Sequence, residues 1–177
     1  FLNDNHGANS VRLNYARFLV DQKVWQKALE EFKRMADDLP DDADTIYAVG
    51  LLSLQNNRLD EADKYLQRAL ELRPQNDQAR LYLGQVAEQR KQYGAAIDWY
   101  LQVKEGEYYF EAQARLGVVM ARKGDLAGAR LHLDGIPAQN DSQRVQVALA
   151  HEQILRDARQ FKEALQVLNA AIQTVPG

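Results

Sequence analysis

The 177-residue chain carries 22 Lys and Arg against 25 Asp and Glu, a formal net charge of -3, with 46% hydrophobic and 27% charged residues. That balance gives no overall pull towards nucleic acid or acidic lipid, and a chain of this length can bury a sizeable apolar interior without staples. Four Pro, ten Gly and no Cys exclude collagen, a disulfide scaffold and thiolate chemistry, and no apolar run approaches the roughly eighteen residues of a membrane span.

Residues 1–8 read as the tail of an earlier helix and its connector, and from residue 9 the sequence repeats itself. Pro40 and Pro74 stand 34 residues apart. In the same phase, Val24-Trp25-Gln26-Lys27-Ala28-Leu29 is followed by Arg58-Leu59-Asp60-Glu61-Ala62-Asp63 and Gln92-Tyr93-Gly94-Ala95-Ala96-Ile97. Asp125-Leu126-Ala127-Gly128-Ala129-Arg130 and Gln160-Phe161-Lys162-Glu163-Ala164-Leu165 continue it. Five units are expected, at residues 9–42, 43–76, 77–109, 110–144 and 145–177, each a pair of antiparallel helices, A and B, joined by a short turn.

In the second unit Ile46, Val49, Gly50 and Ser53 mark the buried side of helix A, and Leu59, Ala62, Leu66, Ala69 and Leu70 that of helix B. The turn at 55–58 puts Asn57 where a left-handed backbone is cheap, and Gly124 takes the matching place in the fourth unit. Lys23, Lys91 and Arg159 hold it elsewhere, so the pattern makes that conformation preferred rather than compulsory. Helix B of the third unit runs into Lys104-Glu105-Gly106, that of the fourth is short and interrupted by Gly135-Ile136-Pro137, and the fifth unit has His151-Glu152 in place of an apolar–glycine pair. Small residues recur, Ala16, Gly50, Gly84 and Gly117 on A and Ala28, Ala62, Ala96, Ala129 and Ala164 on B, which lets the helices approach. Trp25, Leu59, Tyr93, Leu126 and Phe161 are expected to fill the spaces beside them.

These are the signature positions of the tetratricopeptide repeat (TPR), which the chain resembles over residues 9–177. In the second unit Gly50, Leu59, Ala62, Leu66, Ala69 and Pro74 fall in family positions. The resemblance implies an all-α fold, an alpha-alpha superhelix or TPR solenoid of antiparallel helix pairs, whose concave helix-A surface binds a peptide or partner protein. Carried onto this chain, the partner-binding residues are Leu13, Arg17, Tyr47, Leu51, Leu54, Leu81, Gln85, Gln89, Val118 and Arg122, with Tyr47 the best single anchor. Ala114, Leu149, Gln153, Arg156 and Asp157 continue the inward row. For Leu13, Leu81 and Leu149 a second reading is open, that they only close the helix packing. Tyr108, Tyr109 and Phe110 are a secondary patch or, alternatively, a plug in the joint between the third and fourth units. The lysine and asparagine carboxylate clamp of some family members is not reproduced, since its positions carry Leu13 with Arg17, Tyr47 with Leu51 and Leu81 with Gln85.

His6, His132 and His151 lie far apart in the repeat map and lack the spacing of a zinc pair, and the sequence contains neither a glycine-rich phosphate loop nor a nucleophile elbow. Asp37-Asp38-Leu39-Pro40-Asp41-Asp42 lacks the spacing and glycine of a calcium loop and reads as a solvated turn with Asp41 or Asp42 as helix cap. The expected function is a non-enzymatic protein–protein interaction scaffold without cofactor or metal. It takes a protein or peptide partner, no nucleic acid, and does not itself insert into a membrane. The alternative is a structural spacer or self-association module that forms a homo-oligomer through its terminal repeat faces. Open faces at both ends read as a segment of a longer array. The Ala, Leu and Gln-rich flavour is similar to that of repeat-rich Gram-negative envelope lipoproteins that scaffold protease or cell-wall-remodelling complexes, which favours a periplasmic over a cytoplasmic setting.

Overall fold

The computed structural model describes residues 2–174, with side chains from 9 to 173. Val175-Pro176-Gly177, where another repeat was expected to begin, and the side chain of His6 lie outside the described residues. Among the described residues there are ten helices and no strand: α1 (Leu2–Asp21), α2 (Trp25–Asp38), α3 (Ala43–Gln55), α4 (Leu59–Leu72), α5 (Asp77–Gln89), α6 (Tyr93–Leu101), α7 (Tyr109–Arg122), α8 (Leu126–Asp134), α9 (Asp141–Asp157) and α10 (Phe161–Thr174). They form two compact units, Phe1–Val86 and Ala87–Gly177, which divide within α5.

Odd-numbered and even-numbered helices alternate as A and B. Every A-to-B turn is built the same way. The N–H of Lys23 donates to the Val20 carbonyl at 2.9 Å and that of Val24 to the Leu19 carbonyl at 2.8 Å. The same two bonds recur at Asn57 and Arg58, Lys91 and Gln92, Gly124 and Asp125, and Arg159 and Gln160. This paired closure satisfies the last helical carbonyls and requires a left-handed residue between them. Lys23, Asn57, Lys91 and Arg159 adopt φ of 57, 56, 58 and 60°, and Gly124 adopts 110°. The conformation that the sequence made optional is therefore present at all five turns, whatever residue stands there.

Side-chain caps start several A helices. Asp42 accepts from the Thr45 N–H at 3.2 Å, Asn76 from that of Ala79 at 2.9 Å and Asn140 from that of Gln143 at 2.9 Å. Of the two aspartates expected as caps at 41 and 42, Asp42 takes the role, while Asp41 pairs with Arg68 at 2.9 Å.

In the first unit α1, α2 and α3 share a core around Leu19, Leu29, Phe32, Met35, Val49 and Leu52. In the second, α7 to α10 enclose Val118, Leu133, Ile136, Ile154 and Leu155. Close approach within a pair is set by glycine. A Cβ on Gly50 would stand 2.8 Å from Cγ of Leu66, and one on Gly117 would stand 2.6 Å from Cγ and Cδ2 of Leu133. Ala28, Ala62, Ala96 and Ala129 are fully buried on the B helices.

Several sequence expectations need correction. Residues 2–8 are not a connector but the first turns of α1, which no proline interrupts. Helix α6 stops at Leu101 instead of running to Gly106, because Val103 turns into the interior and Gly106 takes φ of 83°. Helix α9 starts at Asp141, where Asn140 caps it, four residues before the expected unit boundary. Phe161 fills no space and is largely exposed.

Two stability outcomes follow from this geometry. Gly117→Ala should cost about 1–3 kcal/mol in chemical denaturation, because overlap with the buried Leu133 outweighs the gain of about 1 kcal/mol in helix propensity. Lys91→Gly should instead stabilise by about 0.5–1 kcal/mol, since glycine enters the left-handed region without a Cβ penalty, and Lys91→Val should destabilise.

Candidate functional site

In the first unit, the residues expected to line the binding surface are divided between surface and core. Leu13 and Tyr47 are half-buried against the α1–α3 core, Leu51 is half-buried, and Arg17 is exposed. The Tyr47 ring lies 6.3 Å from that of Tyr82, tilted by 45°, an aromatic pair across two A helices that sequence reading missed because Tyr82 falls one position outside the inward row. Leu54 and Leu81 are buried and present little surface to a partner. Gln85 is half-buried and Gln89 exposed.

The second unit brings the expected positions on α7 and α9 together. Between these two A helices lies a cleft of about 430 Å³, with Ala114, Val118 and Ala150 along its base and Leu149 standing 51% exposed in its wall. Gln146 and Gln153 line it from α9, and Glu111 and Arg115 from α7. Among the described residues neither glutamine side chain has a hydrogen-bond partner, so two amides are available to an occupant.

The charges beside the cleft are already paired. Arg115 Nε donates to Glu111 at 3.0 Å, and Arg122 donates to Glu88 at 2.6 Å and lies 3.6 Å from Asp157. Tyr100, fully buried, donates from its hydroxyl to Glu88 at 3.0 Å, and burial together with that carboxylate pushes the Tyr100 hydroxyl well above its ordinary pKa. Arg122, expected as a free partner-binding cation, is instead a bridge between the end of α5 and α9.

Tyr108, Tyr109 and Phe110 are all half-buried at the start of α7, and Phe110 packs on the core of the second unit. A second cleft, of about 450 Å³, opens between α8, α9 and α10. Arg130, Asp134, Arg144 and His151 stand around an apolar floor that includes Ile136, Leu155 and Val167. His151 Nε2 lies 3.2 Å from Asp134, and Arg144 pairs with Asp141. Nothing in the spacing of the sequence pointed to this cleft, since its residues come from the outer sides of three helices and a loop.

The acidic run at the first connector is likewise engaged, Asp38 by Arg12 at 3.0 Å, Asp41 by Arg68 and Asp42 by its capping role. Among the described residues no group of three metal-ligating side chains converges, and no helix is long and apolar enough to cross a membrane.

Residues 47–109 match the tetratricopeptide repeat family. No curated protein sequence matches the chain significantly. Among solved structures it is similar to MamA (residues 41 to the end) from Desulfovibrio magneticus RS-1, at 16% identity and a TM-score of 0.73 over 93% of both chains. It is also similar to YrrB, described as a TPR protein with an unusual peptide-binding site, at 20% identity and a TM-score of 0.67 over 92% of this chain and 84% of that one. A putative kinesin light chain of Podospora anserina with nearly identical TPR-like repeats matches at 13% identity and a TM-score of 0.75, over 93% and 92%. The chain thus has the all-α tetratricopeptide-repeat fold.

His151 gives the second unit a pH dependence of definite sign. Burial lowers its pKa, Arg130 adds to that, and Asp134 opposes it. Its folded pKa lies below the unfolded value of about 6.5, so the unfolded chain binds more protons as the solution is acidified. The stability that neutral His151 contributes is present above about pH 6.5 and is lost as pH falls from there through the folded pKa. The thermal midpoint should drop more between about pH 7.5 and pH 5 in wild type than in His151→Gln, and equal drops would refute the assignment.

Proposed function

We propose that this tetratricopeptide-repeat chain is a non-enzymatic scaffold that holds a peptide or partner protein on the A-helix surface of its repeats. Tetratricopeptide folds serve as protein–protein interaction modules, and the finer assignment is to the cleft between α7 and α9. What supports it is one combination, an exposed Leu149 over a small-residue base with two unpartnered glutamine amides beside it. An extended backbone presents alternating donors and acceptors that such amides can meet, while the apolar wall takes a side chain. The description of YrrB as a peptide-binding protein of the same fold agrees with this reading. A Gram-negative envelope setting, with a lipoprotein parent, belongs to the same proposal and rests on the composition alone.

Selection of peptides from a random display library on the full chain tests the cleft. Binding of the selected peptides should weaken about tenfold to thirtyfold in the Gln146→Ala/Gln153→Ala double variant, as expected for two hydrogen bonds of about 1 kcal/mol each. Ala114→Arg, which places a long side chain in the cleft, should abolish it with thermal unfolding unchanged. Peptides that bind both variants as they bind wild type would overturn the assignment.

A further inference from the structure

We propose that the groove between the B helices α6 and α8 is a docking site for one aromatic residue, tryptophan or tyrosine, that stands beside an acidic residue in a partner polypeptide. This goes beyond capture on the A helices and rests on different residues.

The first unit shows how two successive B helices are tied together. Lys33 of α2 pairs with Glu61 of α4, and Arg58 donates to the side-chain oxygen of Gln26 at 3.1 Å. Tyr65 of α4 packs its ring on the core of that unit. Counted from the left-handed turn residues, the same five positions across α6 and α8 hold other residues. Leu101 and Gly128 stand in place of Lys33 and Glu61, Gly94 and Asp125 in place of Gln26 and Arg58, and His132 in place of Tyr65. Neither link can form, and a smaller ring occupies the place of the larger one. A Cβ on Gly94 would meet nothing within 4 Å.

What results is an open groove of about 680 Å³, larger than either cleft described above. The place of Tyr65 governs the opening. On α6 it holds the half-buried Trp99. On α10 it holds the small Val167, and there too a cleft opens, the one beside Arg130 and His151. An aromatic ring is therefore what the α6–α8 groove lacks by comparison with α4 and α6.

The lining residues select for more than a ring. Leu116 and Met120 of α7 form an apolar base, and Leu101, 53% exposed, forms a wall. His132 Nε2 lies 3.0 Å from the carbonyl oxygen of Gln113, and a carbonyl only accepts, so Nε2 carries the hydrogen. The neutral imidazole then has its acceptor at Nδ1, which has no partner among the described residues. An indole N–H or a phenol O–H supplies the donor that this acceptor lacks. At the rim, Asp125 accepts from the Gly128 N–H at 2.8 Å, whereas Lys123 is exposed and has no ion pair among the described residues. The uncommitted charge at the rim is positive, which complements a carboxylate beside the aromatic residue.

A methyl chemical-shift titration of the full chain reads the site, with the acetylated and amidated dipeptide Asp-Trp as probe. The methyl groups of Ile97, Leu101 and Met120 should shift and saturate with a Kd on the order of 1 mM, as suits a single anchor. A probe with an N-methylated indole lacks the donor and should bind wild type about fivefold more weakly, a difference that should vanish in His132→Phe. Asn in place of Asp in the probe should weaken binding about twofold to fivefold, and Lys123→Ala should erase that preference. His132→Trp restores a large ring and should abolish the shifts. Leu101→Lys, at an exposed position, should weaken binding at least about tenfold and serves if the tryptophan variant folds poorly. The Gln146→Ala/Gln153→Ala double variant should bind the probe as wild type does, which separates this groove from the A-helix cleft. The proposal fails if none of the three methyl groups shifts up to about 20 mM probe, if the shifts survive both His132→Trp and Leu101→Lys, or if the parent and N-methylated probes bind alike. Indole alone binding as tightly as the dipeptide would also overturn it, since the groove would then take a small aromatic molecule rather than a partner's side chain.

Discussion

A pair of helices thirteen or fourteen residues long, such as α3 and α4, has too little surface to bury both its apolar faces against itself. The fold depends on sharing that burial between successive pairs. The A helices α3, α7 and α9 each pack on their own B helix and give a second face, which ends in Leu52, Val119 or Ile154, to the preceding pair. The turns show how strongly this constraint acts. Left-handed backbone costs an ordinary L-residue roughly 1–2 kcal/mol, yet Lys23, Lys91 and Arg159 all adopt it. Burying one leucine-sized side chain is worth about 1.5–3 kcal/mol, and several are buried for each turn so closed. Packing outweighs the local preference, which is why the residue at the turn does not decide the turn.

The same reasoning separates what was legible in the sequence from what was not. The repeat was legible because its small residues do a geometric job that larger ones cannot. Gly50 and Gly117 sit where a methyl group would strike Leu66 and Leu133, so the period appears as a constraint on size. The helix ends were harder to read. Val103 ends α6 early by entering the interior, and nothing in Lys104-Glu105-Gly106 marks that event. Asn140 starts α9 ahead of the period because a cap acts locally and takes no account of the repeat.

The proposed binding surface was legible as a row of positions but not as an inventory of available side chains. Leu54 and Leu81 fall in the row and are nonetheless covered, since accessibility depends on how closely the next helix lies. Arg122 was expected to meet a partner, yet Glu88 and Asp157 already hold it. With Arg115 held by Glu111 as well, a charged partner would have to break an existing pair to gain a new one. On the proposed reading, recognition in the α7–α9 cleft would fall to Leu149 and to the amides of Gln146 and Gln153, which an uncharged extended segment suits best.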